Sequence, residues 1–275
     1  MVVLILSITG LICGSFVNAL VWRIHEQSML SKKDIAKRKE ISVLRGRSMC
    51  PGCKHQLSIV DLIPVISWIL LKGRCRYCKK TISVQYPLVE LLTAILFSLS
   101  YILWPSSIHG VVIFEFIIWC MLLTGFMALA VYDLRWYILP NRIVYPLFIL
   151  AILISFAPIV SHAGIKSTIV DALIGMAIGG GLFYVLFVAS NGSWIGGGDV
   201  RLGGLLGLIV GGPFAAMLML MTASGVGTLI AVPLVMAGKA KRNTRIPFGP
   251  LLIVGAIVAE LFAASIKHWS LHLFS

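Results

Sequence analysis

Long apolar stretches separated by short polar ones dominate the chain and predict helices that cross a membrane. Eight such stretches are found, at 1–21, 86–103, 110–132, 143–160, 169–189, 200–212, 214–237 and 248–266. Most of them reach the roughly 17 to 25 apolar residues that a helix needs to cross a bilayer. The pattern therefore predicts an all-α polytopic membrane protein with about eight transmembrane helices.

The amino-acid composition also indicates a polytopic membrane protein. The chain is 59% hydrophobic and only 12% charged over 275 residues, with a mean hydropathy of +0.99. No soluble core could bury that much apolar surface, whereas a polytopic membrane protein exposes it to lipid. The first stretch could also be read as a secretory signal, but no basic residue precedes Arg23, so we interpret it as a span.

Lysine and arginine predict the orientation of the spans. Of the 23 basic residues, 21 fall in the four segments 22–85, 133–142, 191–201 and 238–247. Cytoplasmic loops carry such an excess, so eight spans predict four cytoplasmic loops and both termini outside. The net charge of +13 then follows from topology, and the partners expected are anionic lipids. A basic RNA-binding loop is disfavoured because aromatic residues are not interleaved with the charges, and we expect no nucleic acid partner.

Two C-x-x-C pairs lie in the first of these loops. Cys50 and Cys53 form one pair, Cys75 and Cys78 the other, with 21 residues between the pairs. Four thiolates can close a tetrahedral Zn²⁺ site, and a site closed by four sulfurs is structural. A redox pair or disulfides are the alternatives, and the reducing cytosol disfavours disulfides. We therefore predict a cytoplasmic zinc-knuckle loop.

Two aspartates stand at the cytoplasmic ends of apolar stretches. Asp199 follows three glycines in the segment 196–202, and Asp133 follows the apolar run 110–132. A carboxylate at membrane depth is costly and indicates function. Two such acids brought together repel until one keeps its proton, which supplies an acid and a base for hydrolysis. We therefore predict Asp133 and Asp199 as the catalytic pair.

The glycines before Asp199 suggest a second role for this segment. Because glycine has no Cβ, Gly197 and Gly198 would let an extended substrate backbone approach, and we predict them as substrate-binding residues. A flexible loop or tight helix packing, as at 179–181, is the alternative. The stretch 200–212 would rise only about 20 Å, less than the hydrocarbon thickness of about 30 Å. Either the bilayer thins there or Asp199 is drawn inward.

At this point the chain resembles the bacterial type IV prepilin peptidases, also called prepilin leader peptidase and N-methyltransferase. The resemblance rests on GSFVN at 14–18, the cysteine pairs, YPLVE at 86–90, Asp133 with Pro140 and Asn141, GGDVRL at 197–202 and IPFGP at 246–250. It departs from the family at His25, where a proline is usual, and at Arg201, where lysine is common. Neither position belongs to the chemistry predicted above.

The resemblance implies a membrane aspartic protease of the bacterial inner membrane. It implies cleavage of a short basic leader from prepilins or pseudopilins at the cytoplasmic face, followed by N-methylation with S-adenosylmethionine. It also marks Glu90 as a substrate or structural contact. No glycine motif opens a helix after a strand, so the methyl donor has no Rossmann site in this sequence.

The corresponding division of the chain is a first transmembrane helix at 1–21, a basic loop with two knuckles at 22–85 and a seven-helix protease core at 86–275. Two alternatives stay open at this stage. One is a related intramembrane aspartic protease acting on other leaders, such as a preflagellin peptidase. The other is a transporter whose acids relay protons or bind a cation, although no convincing inverted repeat is found.

Overall fold

A computed structural model describes residues 1–31, 41–43, 46–160, 164–239 and 246–273. Within these ranges the long elements are all α-helices, and the β structure consists of two isolated bridges, Met49 with Gln56 and Arg74 with Thr81. The all-α prediction is therefore confirmed. The chain forms two compact units, Met1–Ile102 and Leu103–Ser275.

The first unit is built on two long antiparallel helices. They are α1 at Val2–Met29 and α3 at Gln85–Ile102, and the connection between them holds a short helix α2 at Ile66–Leu70 and a 3-10 turn at Ile59–Leu62. Small residues let α1 and α3 approach closely. A Cβ at Gly10 would lie 2.5 Å from Ala94 Cα, and one at Gly14 would lie 2.6 Å from Glu90 Cα. Such small-residue contacts are the usual way for membrane helices to pack.

Six helices are found among the described residues of the second unit. In chain order they are α4 at Val111–Trp136, α5 at Asn141–Val160, α6 at Ile165–Ala189, α7 at Gly197–Val210, α8 at Pro213–Met236 and α9 at Gly249–Leu273. Apolar side chains cover their outer faces, including Ile149, Val185, Met221 and Leu229. In water such exposed apolar side chains would promote aggregation, but they are expected on a surface in contact with lipid.

The short helix α7 is the centre of the second unit. All residues from Leu202 to Ile209 are buried, and the helix packs against α5, α6 and α9. Glycines make the contact with α6, because Gly175, Gly179 and Gly180 face Gly203, Gly204 and Gly207. Neighbouring helices therefore enclose α7, and a length of 14 residues does not have to match the bilayer.

Each of the eight predicted stretches corresponds to one of the helices α1 and α3 to α9 of the described chain. Six of these helices, α1, α3, α4, α6, α8 and α9, are long and apolar enough to cross a membrane. In α5 the shorter apolar part Asn141–Phe156 stands apart from these six, and α7 has only 14 residues. The helix ends differ from the predicted ends. Helix α1 continues to Met29 because 22–29 contains neither glycine nor proline, and α4 continues through Asp133 to Trp136. Asp133 thus lies in the last turn of a helix and not in a loop.

Candidate functional site

Asp133 is held at the C-terminal end of α4. The helix ends because Tyr137 adopts a left-handed conformation, with φ of 56°, and donates its N–H to the carbonyl of Asp133 at 2.8 Å. This is the usual left-handed helix end, although glycine is the more common residue there. The chain then reverses through Leu139 and Pro140 into α5. The Asp133 side chain is left buried, with the residue 6% exposed.

Asp199 lies in the first turn of α7. Gly196 is the N-cap residue, and its carbonyl accepts the Asp199 N–H at 3.0 Å. A carboxylate is favoured at this position because the first turn of a helix has unpaired N–H groups and the positive end of the helix dipole. Asp199 is half-buried.

The fold brings the two aspartates together from separate helices. Asp133 lies close enough to Asp199 for their carboxyl groups to interact electrostatically. A second helix start also reaches Asp133, because the N–H of Gly249, the first residue of α9, donates to Asp133 Oδ2 at 3.1 Å. Each carboxylate therefore lies at the N-terminus of a helix.

Leu139 packs between the two helix starts. A Cβ on Gly198 would lie 3.3 Å from Leu139 Cβ, and a Cβ on Gly249 would lie 3.5 Å from Leu139 Cδ2. Leu139 is itself buried. The leucine thus sets the spacing between the first turns of α7 and α9, on which the positions of the two aspartates depend.

Arg201 joins the start of α5 to the start of α7. Its Nε donates to the carbonyl of Gly197 at 3.0 Å, and its NH1 group donates to Asn141 Oδ1. The side chain thereby fixes the first turn of α7 against the loop that follows Asp133. The sequence alone predicted no role for Arg201, Asn141, Leu139 or Gly249. The available signal was that three of them stand in the segments on which the family resemblance rests.

The remaining residues predicted for the site fall in two places. Gly197 and Gly198 are the first two residues of α7, beside Asp199. Glu90 belongs to the first unit, where its Oε2 accepts the N–H of Val65 at 2.7 Å and its carboxylate accepts a hydrogen bond from Ser15. Glu90 thus joins α1, α3 and the cysteine loop.

The two cysteine pairs form matching knuckles, in which each contact recurs 25 positions later in the sequence. The N–H of Cys50 donates to the carbonyl of His55 at 2.9 Å, and that of Cys75 to Lys80 at 2.8 Å. Lys54 and Lys79 occupy equivalent turns, and both have φ of 59°. A repeated geometry of this kind presents the two thiols of each pair in the same direction.

All four sulfur atoms converge. The Sγ atoms of Cys50, Cys53, Cys75 and Cys78 lie within 4.8 Å of one another, and those of Cys50 and Cys78 are 3.8 Å apart. Tetrahedral zinc with Zn–S bonds of about 2.3 Å places its sulfurs about 3.8 Å apart. Burial raises the pKa of Cys50, but hydrogen bonds from the Cys53 and Gly52 backbone lower it to about 7. The cluster can therefore bind a metal such as zinc.

Comparison with known proteins agrees with this architecture. Residues 8–104 match the bacterial peptidase A24 N-terminal domain, and residues 120–232 match the type IV leader peptidase family. No solved structure matches the chain.

Curated relatives match over nearly the whole chain. The prepilin leader peptidase/N-methyltransferase of Bacillus subtilis is 31% identical, with 95% of each chain covered. The type 4 prepilin-like proteins leader peptide-processing enzyme of Escherichia coli O78:H11 is also 31% identical, over 91% of this chain and 90% of its own. The Pseudomonas aeruginosa prepilin leader peptidase/N-methyltransferase is 30% identical, over 96% and 91%.

The membrane-spanning helices and the family matches together define a polytopic membrane peptidase. With both family domains in order and full-length relatives above 30% identity, the chain belongs to the type IV leader peptidase family.

Proposed function

We propose that the protein removes the short basic leader from prepilins or pseudopilins and then methylates the new amino terminus, with Asp133 and Asp199 as the catalytic residues. The observation that carries the proposal is the convergence of these two carboxylates at the N-termini of α7 and α9. The names of the relatives supply the substrate class and the second activity.

In the peptidase reaction, one aspartate is ionised and the other holds a proton. The ionised carboxylate takes a proton from water while the water oxygen bonds to the scissile carbonyl carbon. The protonated carboxyl group polarises the carbonyl and then passes its proton to the amine as the C–N bond breaks. Because two close carboxylates repel, this unequal protonation is the stable state of the pair.

Neighbouring groups of the site orient these acids. The Gly249 N–H binds Oδ2 of Asp133, and since the described residues give Oδ1 no hydrogen bond, Oδ1 can accept one from a water molecule. Arg201 holds the first turn of α7, and so the direction of the Asp199 side chain, through Gly197 and Asn141. We further propose that Gly197 and Gly198 give the substrate backbone room beside Asp199. Direct substrate contact by Glu90 stays a prediction.

The four cysteines would hold one zinc ion in a closed, structural site. Zinc bound by four thiolates stabilises the fold of the loop and takes no part in peptide cleavage. S-adenosylmethionine is the proposed methyl donor and would supply the methyl group. The described residues contain no strand that leads into a glycine-rich helix start, so we assign none of them to its site.

The arrangement of the chain in the membrane follows from its charges. We propose that it resides in the bacterial inner membrane with both termini outside and its basic loops in the cytoplasm. The distribution of lysine and arginine supports this, and the eight main helices of the described residues, an even number, would return the chain to the side on which it began. Asp133 and Asp199 then both lie on the cytoplasmic side, where membrane lipids surround the site and prepilins are expected to arrive.

The test is a reaction with defined products. Purified protein in vesicles is incubated with a prepilin that carries its basic leader, with and without S-adenosylmethionine, and the products are read by mass spectrometry. We expect loss of the leader in both reactions and one added methyl group only with the donor. An intact precursor in both reactions contradicts the proposal.

A further inference from the structure

The connection between the two knuckles carries an exposed apolar surface. It is formed by the segment 59–70, whose exposed side chains are Ile59, Val60, Leu62, Ile63, Ile66, Ile69 and Leu70. Ile59 is 87% exposed and Leu70 is 73% exposed, compared with 52% for Leu88 on the outer face of α3. A surface this apolar does not remain in water without an occupant.

Hydrogen bonds fix how deep this segment lies along α3. The Val65 N–H donates to Glu90 Oε2 at 2.7 Å, and Glu90 is the sixth residue of α3. Glu90 lies five residues after the start of α3, which corresponds to about 7 to 8 Å along the helix axis, whereas all 18 residues of α3 extend over about 27 Å. Since the bilayer core is about 30 Å thick, the whole of α3 is needed to span it. Val65 is thereby held below the membrane edge.

Within the hydrocarbon core each backbone polar group needs a protein partner, and the backbone around Val65 meets this requirement. Pro64 has no N–H to satisfy, and the Val65 N–H is bound by Glu90. The N–H groups of Ser67 and Ile69 donate to Ile63 and Val65, at 3.1 and 3.0 Å. Val65 itself has φ of 61°, which is unfavourable for a β-branched residue and indicates that its surroundings impose the turn.

Polar groups lie where the segment would leave the membrane. The Trp68 Nε1 donates to the carbonyl of Ile82 at 3.1 Å, three residues before α3 begins, and tryptophan favours the membrane interface. Exposed basic residues follow beyond it, namely Lys72, Arg74, Lys79 and Lys80. Their charge complements an anionic lipid surface.

Asp61, the acidic residue of this segment, is held by hydrogen bonds from the second knuckle. Asp61 accepts hydrogen bonds from Arg76 Nε at 2.7 Å and from the Tyr77 hydroxyl at 3.0 Å. The Asp61 side chain is only 3% exposed, so its charge does not face the surroundings. The apolar face is thereby left without an acidic group.

From these contacts we infer that the segment 59–70 is a membrane-inserted element, which lies in the lipid leaflet at the N-terminal end of α3. Its occupant is the bilayer itself, in the manner of an interfacial helix that sinks about 5 to 10 Å into the headgroup and acyl boundary. The cysteine cluster then lies directly above the membrane surface, anchored by this segment.

The test uses full-length protein in vesicles of phosphatidylethanolamine and phosphatidylglycerol that contain a phospholipid with a photoreactive acyl chain. After irradiation, labelled peptides are mapped by mass spectrometry. We expect label in 59–70 at the level found on the outer face of α3, and none in the knuckle turns 51–55 and 76–80. A segment 59–70 without label, while α3 carries label, overturns the inference. Protection of that unlabelled segment by added substrate would identify a peptide-docking face instead.

Variants of the chain distinguish loss of membrane insertion from loss of folding. Glu90→Ala removes the acceptor for Val65 and should reduce label in 59–70, whereas Glu90→Gln keeps a carbonyl acceptor and should retain it. Ile69→Glu should lose most of the label, and Thr81→Glu, which adds the same charge to an exposed position of the second knuckle, should not. Metal content reports whether each variant folds. Equal labelling of Ile69→Glu and Thr81→Glu also overturns the inference.

Discussion

The backbone N–H of Gly249 donates a hydrogen bond to Asp133 Oδ2 at 3.1 Å, across 116 positions of sequence. The bond places the start of α9 against the end of α4. It gives Asp133 the same kind of environment that Asp199 has in α7, at the positive end of a helix dipole. Both proposed catalytic acids are therefore positioned by helix starts and not by neighbouring side chains of their own segments.

Gly249→Ala should strongly reduce leader cleavage. A Cβ at this position would lie 2.7 Å from Asp133 Oδ2, so either the helix start or the carboxylate must move. A displacement of about 1 Å at a catalytic group can lower the rate by about a hundredfold. The measurement is kcat/KM for prepilin cleavage. Gly225→Ala is the matched control, because a Cβ there has no neighbour within 4 Å. Equal losses in the two variants would show that the contact with Asp133 is not the cause.

Arg201 and Asn141 should act as one unit. Since Arg201 NH1 donates to Asn141 Oδ1, removal of either partner breaks the same bond between the starts of α5 and α7. We expect Arg201→Ala and Asn141→Ala each to lower kcat, and the double variant to lose less than the sum. The coupling energy from this double-mutant cycle should be about 1 kcal/mol. Strictly additive losses would mean that the bond does not position the site.

Gly203→Ala should destabilise the second unit. Its Cβ would lie 2.5 Å from the carbonyl oxygen of Gly179 and 2.8 Å from Phe183 Cδ2. Overpacking of this kind costs about 1 to 3 kcal/mol, so the thermal unfolding temperature in detergent should fall. Gly181→Ala is the control, because its Cβ would meet nothing within 4 Å. An unchanged unfolding temperature for Gly203→Ala would contradict the close packing of α6 on α7.

Loss of the metal should disturb the folding of the cysteine loop more than it lowers leader cleavage. Cys75→Ser breaks the four-sulfur cluster, so the purified variant should lack zinc and its segment 46–85 should become sensitive to trypsin. We expect methylation to be impaired at least as much as cleavage. Cys120→Ala, at a cysteine outside the cluster, should retain zinc. Unchanged methylation in a zinc-free variant would disprove the link between the knuckles and methyl transfer.

Apolar patterning was sufficient to predict the eight main helices of the described chain, since each predicted stretch corresponds to one of them. It could not predict helix ends such as Trp136, because no glycine or proline marks the edge of the membrane there. The sulfur cluster was predictable from spacing alone, as the two C-x-x-C pairs form equivalent knuckles. The packing of glycines at Gly179 and Gly180 was also among the interpretations considered, while a Cβ at Gly181 would meet no neighbour.

The surroundings of the site were not predictable in this way. The bonds from Gly249 to Asp133 and from Val65 to Glu90 join positions with no shared periodicity. Arg201 and Asn141 are 60 positions apart, and only the folded chain brings them together. The sequence thus indicates which chemical groups are present, whereas tertiary packing decides what orients them.

The most direct test of the account is leader cleavage by the wild-type protein, Asp133→Asn and Asp199→Asn, each purified at matched yield and compared by unfolding temperature. Asparagine keeps the shape of the side chain but cannot accept or release the proton that hydrolysis requires. The account predicts that the wild type cuts a prepilin with its basic leader, while both variants are folded and inactive. Cleavage by either folded variant would contradict the proposal that the two aspartates act as a pair.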